Sequence, residues 1–297
     1  MNRLSWKTRI TLYVANILVI GFLLFPVIAV LQGSVMSEKT LHSDITAIIP
    51  PEFTLENFLL ILTQGEHRED AALGIRATYM PDNLKSFYSA FFNSTVIAFS
   101  VTLITLICGA FSAYTIVRFP FRWTMWIVNG SLIARFLPII VLMIPLFVLG
   151  RSMGLINSLT GVILAETGFL LPYAILILAP YFKSLPADVE DAARVDGCTR
   201  FGAFLRIVIP LSAPGMTACG VIIFIVSWHE LLIPLVLNSD VEYMTLPMVL
   251  SSLVSDTNIL FNVMMALALL ALIPTVLMVL LLQKYVVHGL SAGAVKG

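Results

Sequence analysis

Charge is scarce in this chain. Only 11% of its 297 residues are Asp, Glu, Lys or Arg, against about a quarter in ordinary soluble domains. With 59% hydrophobic residues beside that deficit, its main solvent is lipid. Seventeen basic and seventeen acidic residues cancel, and no Lys/Arg block offers a surface to nucleic acid. Cysteine is equally sparse. Cys108, Cys198 and Cys219 lie in or beside apolar runs without CxxC or Cys/His ligand spacing, so they read as packing residues. His42, His67, His229 and His288 are widely separated and form no metal cluster. A GxxxxGK[ST] phosphate cradle is also missing, which excludes ATP hydrolysis of the P-loop type by this chain itself.

What is present is long apolar runs. A bilayer core about 30 Å thick is crossed by about 20 mostly apolar residues, and six runs reach that length: 10–31, 87–117, 123–149, 159–182, 207–237 and 259–287. The first is too long for a signal peptide and has no clear small-residue cleavage site, so it reads as a retained anchor. Pro138 and Pro145 predict a bent third run, and Pro172 and Pro180 irregularity in the fourth. Arg3, Lys7 and Arg9, then Arg118 and Arg122, then Lys183, Arg194, Arg200 and Arg206 all fall on one side of an alternating topology. The other side carries Arg151, Asp240, Glu242 and Asp256, and the long mixed-charge segment between the first two runs weighs little. The positive-inside rule then places both termini in the cytoplasm. The expected fold is an all-α membrane protein with six transmembrane helices: 1–32 as N-terminal tail and first span, 33–86 as an outer segment, and 87–297 as the core.

Within the outer segment, Pro50 and Pro51 precede Phe53, Leu55, Phe58, Leu59 and Leu62, a spacing that predicts a short amphipathic helix. The polar stretch after it reads as a solvated loop or a contact for an external partner. Between the fourth and fifth runs, 184–214 is too polar to cross a membrane and too patterned for a random loop. Pro186 suits an opening helical turn, Asp188, Glu190 and Asp191 favour its N-terminal end, and Gly197 can terminate it. Thr199 can cap a second helix bearing Phe201, Phe204 and Leu205, before Pro210 and Pro214 interrupt it. Ala192, Ala193 and Gly197 would let another protein approach closely, with Asp191, Arg194 and Asp196 as polar edge. An interfacial helix resting on lipid headgroups has the same features, and the residues alone leave the two readings open.

The segment resembles the EAA motif of permease subunits of bacterial ABC importers, whose pattern is EAA, three residues, Gly, nine residues, then Ile, any residue, Leu-Pro. Asp191-Ala192-Ala193, Gly197 and Ile207-Val208-Ile209-Pro210 stand at those spacings, with Asp191 for Glu and Ile209 for Leu. The resemblance runs over nearly all of the chain from the second run onward and is closest to the carbohydrate-importing class, including maltose-type permeases. NSTVIAFSVTLITLICGAFSAYTIVRF, SWHELLIPLVL, YMTLPMVL and the tail LLQKYVVHGLSAGAVKG carry it, with His229 where that class usually has Asn.

The resemblance implies a non-catalytic permease subunit of an ATP-driven, binding-protein-dependent importer for a sugar, oligosaccharide or polyol, in the bacterial plasma (inner) membrane. It implies two cytoplasmic ATPase subunits that use ATP and Mg2+, a second permease subunit from a different chain, and an extracytoplasmic solute-binding protein. This chain would hold no cofactor. Glu190, Asp191, Ala192, Ala193, Asp196, Gly197, Ile207 and Pro210 would couple to the ATPase through coupling helices at about 186–205. The tail 288–297, with Gly293, Lys296 and Gly297, would reach between the ATPase subunits, where the residues alone fit a loose chain end equally.

Polar groups inside membrane spans are costly unless they face protein or water, which makes Asn93, Tyr173, Trp228, His229 and Glu230 candidates for the solute path. Trp228 is suited to stacking on a sugar face, His229 and Glu230 to hydrogen bonding, and Pro234 to breaking the helix locally. Helix packing and an interface anchor account for the same residues. Arg135 and Glu166 are candidate partners for one another. An intramembrane enzyme using Glu166, His229 and Glu230, or a purely structural membrane subunit, are the alternatives. No nucleophile motif, metal spacing or paired catalytic signature supports the enzyme.

Overall fold

The computed structural model describes residues 5–37, 40, 52–64, 82–254 and 260–294. Among these the chain is helical, without a β-strand. Helix α1, Trp6–Ser34, is capped by the Ser5 hydroxyl, which accepts from the Thr8 amide at 3.3 Å. Its apolar residues run round the whole circumference, and its most apolar window has no buried residue. A helix without a polar face needs lipid or another membrane helix around it. Helix α2, Glu56–Leu62, is a short helix where the apolar spacing predicts one.

After a short 3-10 turn at Asp82–Ser86 come α3 (Phe87–Arg118), α4 (Thr124–Phe136), α5 (Ile139–Ser152) and α6 (Leu159–Ser184). Then follow α7 (Ala187–Val195), α8 (Arg200–Ala203), a π-type turn (Phe204–Val208), α9 (Ile209–Leu211) and α10 (Ala213–Trp228). The chain finishes with α11 (Leu232–Leu237), α12 (Leu246–Ser252) and α13 (Phe261–Ala294).

Among the described residues four stretches are long and apolar enough to cross a membrane: Trp6–Ser34, Leu84–Arg118, Leu159–Ser184 and Phe261–Lys284. The pair Arg200–Leu211 and Ala213–Trp228, bent by 75°, makes a fifth if taken as one span. The expected third run differs from the sequence reading. It is not one bent helix but two, α4 and α5, parted where Leu137 and Pro138 are extended (ψ 118° and 129°). Proline offers no amide to the helix ladder and its ring keeps the preceding residue out of the α region. Pro145, Pro172 and Pro180, by contrast, stay inside continuous helices. The break expected near Pro234 falls earlier, between the end of α10 at Trp228 and the start of α11 at Leu232.

The chain divides into two compact units, one of Met1–Phe87 with Leu250–Ile273 and one of Tyr88–Val249 with Pro274–Gly297. In the first, buried Asn57 on α2 donates to the Ser34 and Met36 carbonyls at 2.8 and 2.9 Å, and its own carbonyl accepts from Asn262 at 2.8 Å. Three separate segments are thereby joined at one buried amide. In the second, Val101, Ala113, Leu178, Phe182, Cys219 and Ile223 lie within one fully buried cluster. Gly109 on α3 faces Ala174 on α6 so closely that a Cβ would overlap the alanine methyl. Small residues are what allow membrane helices to pack at this range, because lipid supplies no hydrophobic drive between them. Cys219 is buried as a packing residue should be, whereas Cys108 is exposed and Cys198 half-buried.

Candidate functional site

Helix α7 owes its limits to local sequence. Pro186 is its N-cap, Asp188 and Glu190 stand in its first turn, where the helix dipole favours carboxylates, and Gly197 ends it at φ +90°. That left-handed backbone lets the Gly197 amide donate to Arg194 and the Cys198 amide to Ala193 at 3.1 and 3.0 Å, the paired bonds of a Schellman cap. The Thr199 hydroxyl then caps α8 by accepting from Gly202 at 3.1 Å. The two short helices expected between residues 186 and 205 are therefore present, each with the predicted stop or cap.

Their residues divide by face. Asp191, Ala192, Val195, Asp196 and Gly197 are exposed, while Glu190 and Ala193 are buried. Ile207 is half-buried and Pro210 exposed. The Arg194 guanidinium bonds Asp191 at 3.1 Å on the open surface, a pairing of the kind that adds little stability. Glu190 is different. One carboxylate oxygen accepts from Arg118 Nε at 2.6 Å and lies 2.6 Å from Nη2, and the other accepts from the Tyr114 hydroxyl at 2.8 Å. Arg118 Nη2 also donates to the Leu185 carbonyl at 3.1 Å, just past α6. The Tyr114 and Phe204 ring centroids are 4.5 Å apart; Phe182 packs edge-on against both and Phe111 against Phe204. Phe204 is buried, and Phe201 and Leu205 are exposed.

A cavity of about 210 Å³ is lined by Ile139, Glu166, Phe169, Ser227, Glu230 and Ile233, among others. Glu166 is 1% exposed. One of its oxygens accepts the Ser227 hydroxyl and the other has no hydrogen-bond partner among the described residues. Glu230 caps α11 by accepting from the Leu232 and Ile233 amides at 2.8 and 3.2 Å. Thus the polar wall comes from α6, the end of α10 and the cap of α11.

Of the expected solute-path residues, Glu230 lines this cavity. Trp228 is 2% exposed and packs between Phe91 and Phe224, with ring centroids at 5.6 and 5.9 Å. His229 Nδ1 meets the Ile225 carbonyl at 2.9 Å, and Tyr173 is half-buried. Asn93 donates to the Glu242 and Met244 carbonyls at 2.8 and 2.9 Å, fixing the loop after α11 to the first turns of α3. The side chain of Arg135, proposed partner of Glu166, lies outside the described residues, as do Lys296 and Gly297. Gly293 lies near the end of α13. Sequence reasoning missed Arg118 and Tyr114 as partners of Glu190, and Ser227 as partner of Glu166. These pairs are 72, 76 and 61 residues apart, and no local pattern announces them.

Residues 105–292 match the family described as "Binding-protein-dependent transport system inner membrane component". The chain is 31% identical over 286 residues to the trehalose transport system permease protein of Mycobacterium tuberculosis, covering 96% of each. It is 32% identical over 276 residues to the arabinooligosaccharides transport system permease protein of Bacillus subtilis, covering 92% of this chain and 91% of that one. A crystal structure of a bacterial ABC transporter involved in the import of the acidic polysaccharide alginate contains a chain of the same fold. Its TM-score is 0.76 at 20% identity, with 96% of this chain and 99% of that one covered.

Proposed function

Because the chain belongs to the family of inner-membrane components of binding-protein-dependent transport systems, a non-catalytic ABC permease of the inner membrane, we propose that it imports a neutral carbohydrate. The solute would be a disaccharide, an oligosaccharide or a related polyol. The two relatives named for trehalose and arabinooligosaccharides support this, since they match over nearly the whole chain. We read the chain as six membrane crossings, with the α4–α5 pair forming the third, α10–α11 the fifth, and both termini cytoplasmic.

The observation that carries the reading is the division of α7 into an open and a closed face. Asp191, Ala192, Asp196 and Gly197 leave a small-residue surface with acidic edges free, and this is where one of two ATPase subunits docks. Ala193 supports that surface from behind, and Ile207 and Pro210 continue the movement into α10. The tail around Gly293, Lys296 and Gly297 makes a second contact with the ATPases. A second, different permease chain completes the path, and an extracytoplasmic binding protein delivers solute. ATP with Mg2+ acts in the ATPase subunits: its binding shifts the complex outward only by favouring that arrangement over the inward one, and hydrolysis removes the preference.

The solute passes the cavity beside Glu166, Ser227 and Glu230. Hydroxyl groups of a sugar match a carboxylate oxygen that has no donor among the described residues. Beyond the cavity lining, Asn93, Tyr173, Trp228 and His229 are the further candidates for contact along the path. The test is uptake of labelled trehalose, maltose and arabino-oligosaccharides into vesicles holding the complete importer and its binding protein. ATP-dependent accumulation of one of them is expected; accumulation of none, with amino acids or peptides taken up instead, would overturn the solute class.

A further inference from the structure

Glu190 and Asp191 are neighbours in sequence, yet a helix turns about 100° per residue, so one faces inward and the other outward. We propose that Glu190, with Arg118 and Tyr114, is the positioning anchor through which displacement of α7 is passed to the membrane helices α3 and α6. This rests on the reading of α7 as the ATPase docking element.

The geometry favours a stiff joint. Both oxygens of the Glu190 carboxylate are engaged, by Arg118 at 2.6 Å and Tyr114 at 2.8 Å, and both donors belong to the last turns of α3. The same guanidinium holds the Leu185 carbonyl at the end of α6. One charged group therefore joins three helix ends. The pair is largely desolvated, with side chains 16% and 10% exposed, so losing one partner strands a charge away from water. The Asp191–Arg194 pair on the same helix is exposed and, among the described residues, bonds within α7. Tyr114 adds a further path, its hydroxyl on Glu190 and its ring 4.5 Å from Phe204 in the turn that leads to α10. Pushing α7 thus pushes α3, α6 and the root of α10 together.

The experiment uses the complete importer in lipid nanodiscs, with nitroxide labels at Val195 on the open face of α7 and Thr115 on α3. Spin–spin distances are compared without nucleotide and with ATP and vanadate. In the otherwise unaltered complex the distance is expected to stay within about 2 Å, the size of an ordinary helix shift at an interface. Glu190→Ala and Arg118→Ala should each let the distance change beyond that on nucleotide addition, and the double variant should change no more than either alone, because they remove one joint. Glu190→Gln keeps the shape and should show the same change, smaller, guarding against a misfolded alanine variant. Additive effects, or a nucleotide-independent distance in both Glu190 variants, would overturn the anchor. Mobility of the Val195 label separates the two readings. Unaltered mobility when ATPase subunits are added removes docking and the anchor with it; an immobilised label with silent Glu190 variants removes the anchor alone.

Discussion

A methyl group at Gly197 meets no atom within 4 Å, yet the backbone there sits at φ +90°. The penalty for Gly197→Ala is therefore conformational, about 1–2 kcal/mol for a left-handed L-residue. It falls on the cap that ends α7. Faster hydrogen exchange at the amides of Gly197 and Cys198, with the melting temperature of the assembled complex nearly unchanged, is the expected result. Glu166 makes a different prediction. Glu166→Leu should strand the Ser227 hydroxyl and fill the cavity with an apolar side chain, reducing solute uptake at least tenfold while ATP hydrolysis without solute persists. Equal uptake by the variant would remove Glu166 from the path. Gly197 and Thr199 were legible in the sequence because a helix stop and a cap act over three or four positions. Glu190 was not, because its partners come from another helix, and the sequence alone groups it with Asp191 as a docking acid. The structure turns one inward and leaves the other free.

The helices themselves were legible where apolar length decides them. The first, second, fourth and last runs fold as α1, α3, α6 and α13, and the apolar pattern around Phe58 yields α2. Composition alone did not reveal where the backbone ladder breaks, so the third run came out as two helices and the fifth as several. Proline identity was insufficient, since Pro138 parts a helix and Pro172 does not; the difference lies in whether the freed backbone is extended or held by its neighbours. Packing between elements gives a sharper expectation. At Gly109→Leu, α3 can no longer approach Ala174 of α6, and overpacking of this kind costs about 1–3 kcal/mol. Lower yield of assembled complex and a lower melting temperature should follow, partly relieved by Ala174→Gly. Asn93→Ala tests the loop after α11. It removes both donors that hold the Glu242 and Met244 carbonyls, so protease cleavage at 240–244 should accelerate while the core stays intact.

For the molecule as a whole, function comes from joining two regions that differ in chemistry. The cavity beside Glu166 is apolar with a few carboxylate and hydroxyl oxygens. Helices α7 and α8 are short and capped, and α7 is open on one face and ion-paired on the other. In the proposed reading neither region performs a reaction; the fold links a surface that a partner would move to helices that would line the solute path. Fold class and permease family were legible in the sequence, the first from apolar runs and the second from the spacing of Asp191-Ala192-Ala193, Gly197 and Pro210. The solute was not, because recognition at a cavity depends on oxygens contributed by distant segments and by other chains. Vesicles containing the complete importer, assembled to the same extent with this chain or with its Gly197→Asp variant, permit one comparison: solute accumulated per ATP hydrolysed. An added carboxylate on the open face of α7, at a left-handed position, should abolish accumulation and uncouple any remaining hydrolysis from it. Accumulation per ATP equal to that of the unaltered chain would contradict the account of α7 as the element through which the ATPase drives transport.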